Sequence, residues 1–435
     1  MTDFKIQGGR KLSGSIVTNT SKNGALGLLC ASLINKGTTT LHGIPRIEEI
    51  RRMLEVFKSL DIKVEALSDT SLKITPPKQW DISKINRESA SRMRSVLMLL
   101  GALVHIDKDF RLPHAGGCDM GERTIAAHKH GLEELGVHIL TEEDDYHVTN
   151  RGLKAAEIVM YEASDTAAEN LIIAAALTPG KTIIRYAPPN YQVQDVCHLM
   201  ETFGVKIDGV GTHILTVHGV ESIDMEAEHY NSEDPIEAMG FVTAAIMTGS
   251  ELTVERCPIN FLEVELLKLK YMGLKFDTSD KYLAKNDKTE LVDITVHADK
   301  SELKAPENKI HPLPYPGLNV DNLPYFAPIA TQSEGETLIH DWMWESRAIH
   351  FTELNKLGAN VQLLDPHRVK VVGKTVLKGA QVVCPPALRP GFIIFLAMLG
   401  AEGESILRNI YTIARGYEDL AQRLNAVGAN IEVLE

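Results

Sequence analysis

The chain has little cysteine, little positive charge and no long apolar run. Five cysteines occur in 435 residues: Cys30, Cys118, Cys197, Cys257 and Cys384. They are odd in number, scattered and without metal-ligand spacing, which argues against a disulfide scaffold or a zinc site. They read as reduced thiols, and a cytoplasmic location is expected. The longest apolar stretch, near Phe392–Leu399, is far too short to span a bilayer. Met1-Thr2-Asp3-Phe4-Lys5 shows no apolar signal region, so no membrane partner is expected. Lys and Arg number 45 against 58 Asp and Glu, a net charge of −13. Such a chain is not a general nucleic-acid binder, and any anion it takes must be held by a few focused cations. No segment is of low complexity, so no disordered tail is expected.

What is present is a repeat. One phrase occurs six times: Leu60-Asp61-Ile62-Lys63-Val64, Leu135-Gly136-Val137-His138-Ile139, Phe203-Gly204-Val205-Lys206-Ile207, Met272-Gly273-Leu274-Lys275-Phe276, Leu357-Gly358-Ala359-Asn360-Val361 and Val427-Gly428-Ala429-Asn430-Ile431. The copies lie about 70 residues apart, longer than solenoid periods. Each follows an amphipathic stretch and leads into an alternating run, as a helix stopped by glycine and followed by a strand would. A second phrase keeps time with it, from Gly37-Thr38-Thr39-Thr40-Leu41 to Gly403-Glu404-Ser405-Ile406-Leu407. Six βα units exceed one core, so two globular halves are expected. Tyr230–Pro235, between the third and fourth units, is the plausible crossing point.

Several motifs could carry chemistry. Ser21-Lys22-Asn23-Gly24 stands at a helix start, where free N–H groups favour an anion. On the tetrapeptide alone, a solvated lysine beside a cap is the simpler reading. His114–Arg123 sets Cys118 among Gly116, Gly117 and Gly121, in a loop before a helix from Thr124. It fits equally a presented thiol, its pKa lowered by Arg123, and a turn with an incidental cysteine. Arg94, Arg347, Arg389 and Arg415 sit at unit junctions, and each alone reads as a surface salt bridge. Asp234 and Asp321 each precede a helix and read as caps. His128-Lys129-His130 lacks metal spacing and reads as exposed helix. Trp342 and Trp344 read as core or interface, Arg92–Leu103 as a half-buried helix, and Arg52 as an ordinary helix-face residue.

Taken together, Ile6-Gln7-Gly8-Gly9, Lys22-Asn23, Gly116-Gly117-Cys118 with Gly121 and Arg123, and Arg415-Gly416-Tyr417-Glu418 resemble the enolpyruvyl transferases, over the whole chain. The cysteine loop resembles the branch acting on UDP-N-acetylglucosamine rather than its shikimate-using relatives. The resemblance implies an α/β fold: a two-domain inside-out α/β barrel of six βαβαββ-type repeats, three per domain. One domain would span 21–232 with the cysteine loop at 112–123. The other would take 1–20 plus 233–435, and the active site would lie in the cleft between them.

The implied reaction moves the enolpyruvyl group of phosphoenolpyruvate to the 3-hydroxyl of UDP-N-acetylglucosamine and releases phosphate. It opens peptidoglycan synthesis, and so serves cell-wall biogenesis, cell shape and division; fosfomycin would block it. By resemblance, Lys22, Asn23, Arg123, Arg347 and Arg415 bind phosphoenolpyruvate. Arg94, Arg123, Ser164, Asp321 and Met343 meet the nucleotide sugar. Asp321 takes the proton of the attacking hydroxyl, and Cys118 acts as acid toward the methylene carbon. No cofactor and no metal are implied, and the protein would be a monomer or weak homo-oligomer.

Three segments depart from the family pattern. Thr124-Ile125-Ala126-Ala127-His128 lacks the aspartate that helps hold the uracil. Asp165, in Ala163-Ser164-Asp165-Thr166, would face a diphosphate unfavourably. Ala387-Leu388-Arg389 lacks an acidic group. Two further readings therefore stay open: the same chemistry on another nucleotide or sugar alcohol in a secondary pathway, or a non-catalytic paralogue that binds nucleotide sugars.

Overall fold

The six copies of the first phrase share one backbone event. Gly136, Gly204, Gly273, Gly358 and Gly428 take φ of +99°, +83°, +99°, +86° and +108°, and Asp61, in the first copy, takes +58°. A left-handed residue ends a helix and turns the chain into the next strand. Glycine does this without a Cβ penalty, and Asp is among the few other residues that tolerate it.

The computed structural model describes residues 2–116 and 124–434. The described residues form six sheets. Each is built on the strand near the second phrase. Gly180–Arg185 shows the pattern: it pairs antiparallel with Ile214–Gly219, which pairs antiparallel with Lys206–Asp208, and Glu157–Val159 joins parallel on its other side. The same arrangement recurs around Thr38–His42 with Glu226–Tyr230 as the parallel strand, and around Glu251–Pro258 with Ser15–Val17. It recurs again around Glu404–Arg408, where the first strand of the chain, Asp3–Gln7, is the antiparallel partner, with Phe4 opposite both Leu407 and Val433.

Contacts divide the described residues into two compact units, 20–116 with 124–232 and 2–19 with 233–434. Each contains three of the sheets and its own apolar core. In the first unit, helices Lys22–Ser32 and Asp165–Ala176 are buried almost all round, and in the second Pro235–Thr248 and Leu388–Gly400 are too. A helix apolar on every face belongs inside. The sheets alternate buried and exposed positions and so form the outer layer. Among the described residues no helix is long and apolar enough to cross a membrane.

Several local expectations need correction. Arg92–Leu103 is not one half-buried helix but a 3-10 turn, Arg94–Leu99, running into Leu100–Leu103, with every residue from Ser95 buried. His128 is not exposed: it is 4% accessible, and its Nδ1 lies 2.8 Å from Asn170 Nδ2. Of the core-or-interface reading of Trp342, the core half fails, since the side chain is 47% exposed. Arg52 is not an open helix-face residue, being 6% exposed and 2.8 Å from Glu48. In each case the tertiary neighbours, invisible to local periodicity, decide burial.

Candidate functional site

In the unit made of 2–19 and 233–434, three segments bring one carboxylate and two arginines together. Asp321 Oδ2 accepts from Arg389 at 3.1 Å, and its Oδ1 lies 3.8 Å from Arg347. The cap expected of Asp321 is not made. The short turn Leu323–Tyr325 after it has no side-chain cap, whereas Asp234 does cap Pro235–Thr248, accepting from the Ile236 and Glu237 N–H groups.

Neither arginine is a surface residue. Arg347 is 0% and Arg389 6% exposed, so the surface-salt-bridge reading fails for both. Arg347 donates to Asp341, itself fully buried, at 2.5 Å and to the Val320 carbonyl at 2.8 Å. It thereby fixes the backbone just before Asp321. Arg389 donates to the Tyr417 hydroxyl at 2.7 Å. Burial works against its charge; Tyr417, Asp321, Tyr325 and Asp234 outweigh that and hold its pKa well above the usual arginine value. Asp234 is itself pushed up, first by burial, with Arg389 pulling the other way.

Glu265 anchors the same loop from below. It is 2% exposed and accepts from the Asn319 N–H and the Asn322 amide at 3.1 and 2.8 Å. Its pKa is raised, chiefly by burial. Glu265 and Asp341 carry no motif that marks them in the sequence, and Arg389 reads there only as a junction residue. Within Glu263-Val264-Glu265-Leu266-Leu267-Lys268, nothing local distinguishes Glu265 from a solvent-facing carboxylate. Arg415 ends the short helix Tyr411–Ala414, half-buried, and Met343 is half-buried in the turn after Asp341.

In the unit of 20–116 and 124–232, Lys22 and Asn23 open helix Lys22–Ser32, whose cap is Ser21, accepting from the Gly24 N–H at 3.0 Å. Asn23 donates to the Tyr191 hydroxyl at 3.1 Å. The start of this helix is closely backed. A Cβ on Gly24 would stand 2.6 Å from Asn231 Oδ1 and 2.8 Å from Asp195 Oδ2. Asp195 accepts from Ser232, and Asn231 donates to the Ser21 and Gly43 carbonyls. The lysine is thus carried on a helix end with no slack beneath it.

Ser164 caps helix Asp165–Ala176, and Asp165, in its first turn, accepts from Asn190 at 2.9 Å. Arg94 donates to the Thr124 carbonyl at 2.7 Å. Cys118 and Arg123 lie outside the described residues. The other four thiols are free and buried. Burial raises the pKa of all four, to about 12 for Cys257 and Cys384. Of the metal-ligand types described, Glu251, His297 and Asp299 come within reach of one another, but Lys300 already sits 2.6 Å from Glu251.

The architecture is that of enolpyruvyl transferases. It is similar to the enolpyruvyl transferase NikO from Streptomyces tendae, with a TM-score of 0.85 at 22% identity, covering 100% of this chain and 99% of that one. It is similar too to the EPSP synthase of Acinetobacter baumannii, with a TM-score of 0.76 at 18% identity and full coverage of both. The family model for EPSP synthase (3-phosphoshikimate 1-carboxyvinyltransferase) matches residues 6–424, and the chain belongs to that family. Relatives named UDP-N-acetylglucosamine 1-carboxyvinyltransferase include that of Treponema denticola, 34% identical over 100% of both chains. Those of Sulfurovum sp., 34% identical, and Bacteroides thetaiotaomicron, 30% identical, each cover 99% of this chain and 98% and 99% of their own.

Proposed function

We propose that the chain transfers the enolpyruvyl group of phosphoenolpyruvate to the 3-hydroxyl of UDP-N-acetylglucosamine, releasing phosphate in the first committed step of peptidoglycan synthesis. The observation that carries the reading is Asp321, a carboxylate held beside two buried guanidiniums. The transfer needs a base for the attacking hydroxyl and cations for a donor bearing a phosphate and a carboxylate. Full-length similarity to relatives bearing that name supports the same reading.

In this mechanism Asp321 takes the hydroxyl proton as the oxygen adds to C2 of the donor. Cys118 delivers a proton to the methylene carbon C3, giving a tetrahedral intermediate. Phosphate then leaves C2, and C3 returns a proton to the Cys118 thiolate, which restores the double bond and the thiol. Lys22, Asn23, Arg123, Arg347, Arg389 and Arg415 serve the donor. Arg94, Ser164 and Met343 serve the acceptor. The protein works in the cytoplasm, and its Cys118 is the group a fosfomycin-type epoxide would alkylate.

One observation favours a second reading, in which the acceptor is another nucleotide. Asp165 occupies the first turn of helix Asp165–Ala176, where free N–H groups would otherwise favour an anion. A carboxylate there disfavours a diphosphate. Phosphate release from phosphoenolpyruvate, measured first with UDP-N-acetylglucosamine and then with other UDP-sugars and UMP, separates the two. Turnover with UMP alone overturns the first reading, and no turnover with any acceptor overturns both.

A further inference from the structure

Arg389 reaches Asp321 with one arm, and its other arm enters a chain of hydroxyls. Its NH1 lies 2.7 Å from the Tyr417 hydroxyl, which lies 2.8 Å from the Tyr325 hydroxyl, which lies 3.0 Å from the Ile236 carbonyl. The two ends force the direction of every bond. A guanidinium only donates and a carbonyl only accepts. Tyr417 must therefore accept from Arg389 and donate to Tyr325, and Tyr325 must donate to Ile236.

No member of the chain has room to turn away. Tyr325 is 0% and Tyr417 5% exposed. The Tyr417 ring stacks on Phe392 with centroids 3.9 Å apart, and Tyr325 meets the same ring edge-on at 6.0 Å. The anchor, Ile236, lies in the first turn of helix Pro235–Thr248, capped by Asp234. Arg347 donates directly to the Asp341 carboxylate, whereas this arm of Arg389 donates to a hydroxyl.

We propose that Tyr417 and Tyr325 are positioning residues, which hold the Arg389 guanidinium against Asp321 through this one-way hydrogen-bond chain. The proposal rests on the reading that Asp321 and Arg389 serve enolpyruvyl transfer. A hydrogen bond to a charged group, once lost, should cost about tenfold to a hundredfold in rate. Tyr417→Phe removes the acceptor of Arg389 while keeping the stacked ring. Tyr325→Phe keeps that acceptor but leaves the Tyr417 proton undirected, so its effect should be smaller, about threefold to tenfold.

The test measures phosphate release from phosphoenolpyruvate with UDP-N-acetylglucosamine for the full chain, Tyr417→Phe, Tyr325→Phe, Arg389→Lys and the Tyr417→Phe/Arg389→Lys double variant, with thermal melting of each. If the tyrosines act through Arg389, both single Phe variants lose kcat/KM in the order given. In the Arg389→Lys background, Tyr417→Phe then costs less than about twofold. Tyr variants that melt earlier but turn over like the parent overturn the proposal. So does a Tyr417→Phe loss of the same size in both backgrounds. Full turnover by Arg389→Lys overturns instead the functional reading beneath it.

Discussion

Protonating His128 should unlock the segment that carries Arg94. His128 is buried, and its pKa is lowered to about 3, first by burial and then by Arg94. Its Nδ1 accepts from the Asn170 amide at 2.8 Å. The same amide donates to the Leu97 carbonyl, and the Asn170 oxygen accepts from the Gly101 N–H, at 2.8 and 2.7 Å. An imidazolium has no lone pair for Asn170 and would break this bridge.

The unfolded chain binds a proton at the ordinary pKa of about 6.5, and the native state only near 3. The native pKa is the lower, so this stability is fully present above pH 6.5 and lost as the pH falls toward 3. The full difference is roughly 4–5 kcal/mol, and about 2 kcal/mol of it should be gone by pH 5. His105 and His229, both lowered to about 4 chiefly by burial, act in the same direction. Buried Glu169, with its pKa raised, acts in the opposite one. The comparison must therefore be differential. Urea unfolding of the parent and of His128→Gln, whose amide oxygen can still accept from Asn170, should be followed from pH 8 to pH 5. The variant should lose about 2 kcal/mol less than the parent across that range. Equal losses would refute the assignment of His128 as a buried neutral acceptor.

Cys118 should be the thiol that a fosfomycin-type epoxide modifies, because burial raises the pKa of the other four; peptide mass mapping that finds the adduct on Cys257 or Cys384 would sink this. Lys22→Ala and Arg415→Ala should each weaken phosphoenolpyruvate use by about tenfold to a hundredfold. The control should be Arg51→Ala, whose side chain is 59% exposed, rather than buried Arg52. Gly24→Ala places a methyl within 2.8 Å of two polar side chains, so it should lower the melting temperature and raise the donor KM together. A variant that melts lower with an unchanged KM would separate the helix start from donor binding.

The repeat was legible without coordinates because its signals are local. A helix stop, a left-handed residue and an alternating strand depend on neighbours within a few positions, so Leu135-Gly136-Val137 and its copies announce their backbone directly. The cap at Asp234 and the helix beginning at Lys22 were legible for the same reason. Burial of charge was not. Arg347 and Arg389 look like surface residues until the fold encloses them, and Glu265 looks like any carboxylate on an exposed helix. The pairing of Arg389 with Asp321 joins positions 68 residues apart, and no periodicity encodes it. His128 reads as exposed because its neighbours Lys129 and His130 are polar, while the surface it faces belongs to Asn170 in another helix. The order of residues by itself determined the repeated units, the helix ends and the family, since these rest on short-range backbone preference and on motifs read in line. Only the tertiary structure decided which charges are desolvated and which of them meet, because desolvation is a property of the enclosing core rather than of the local chain.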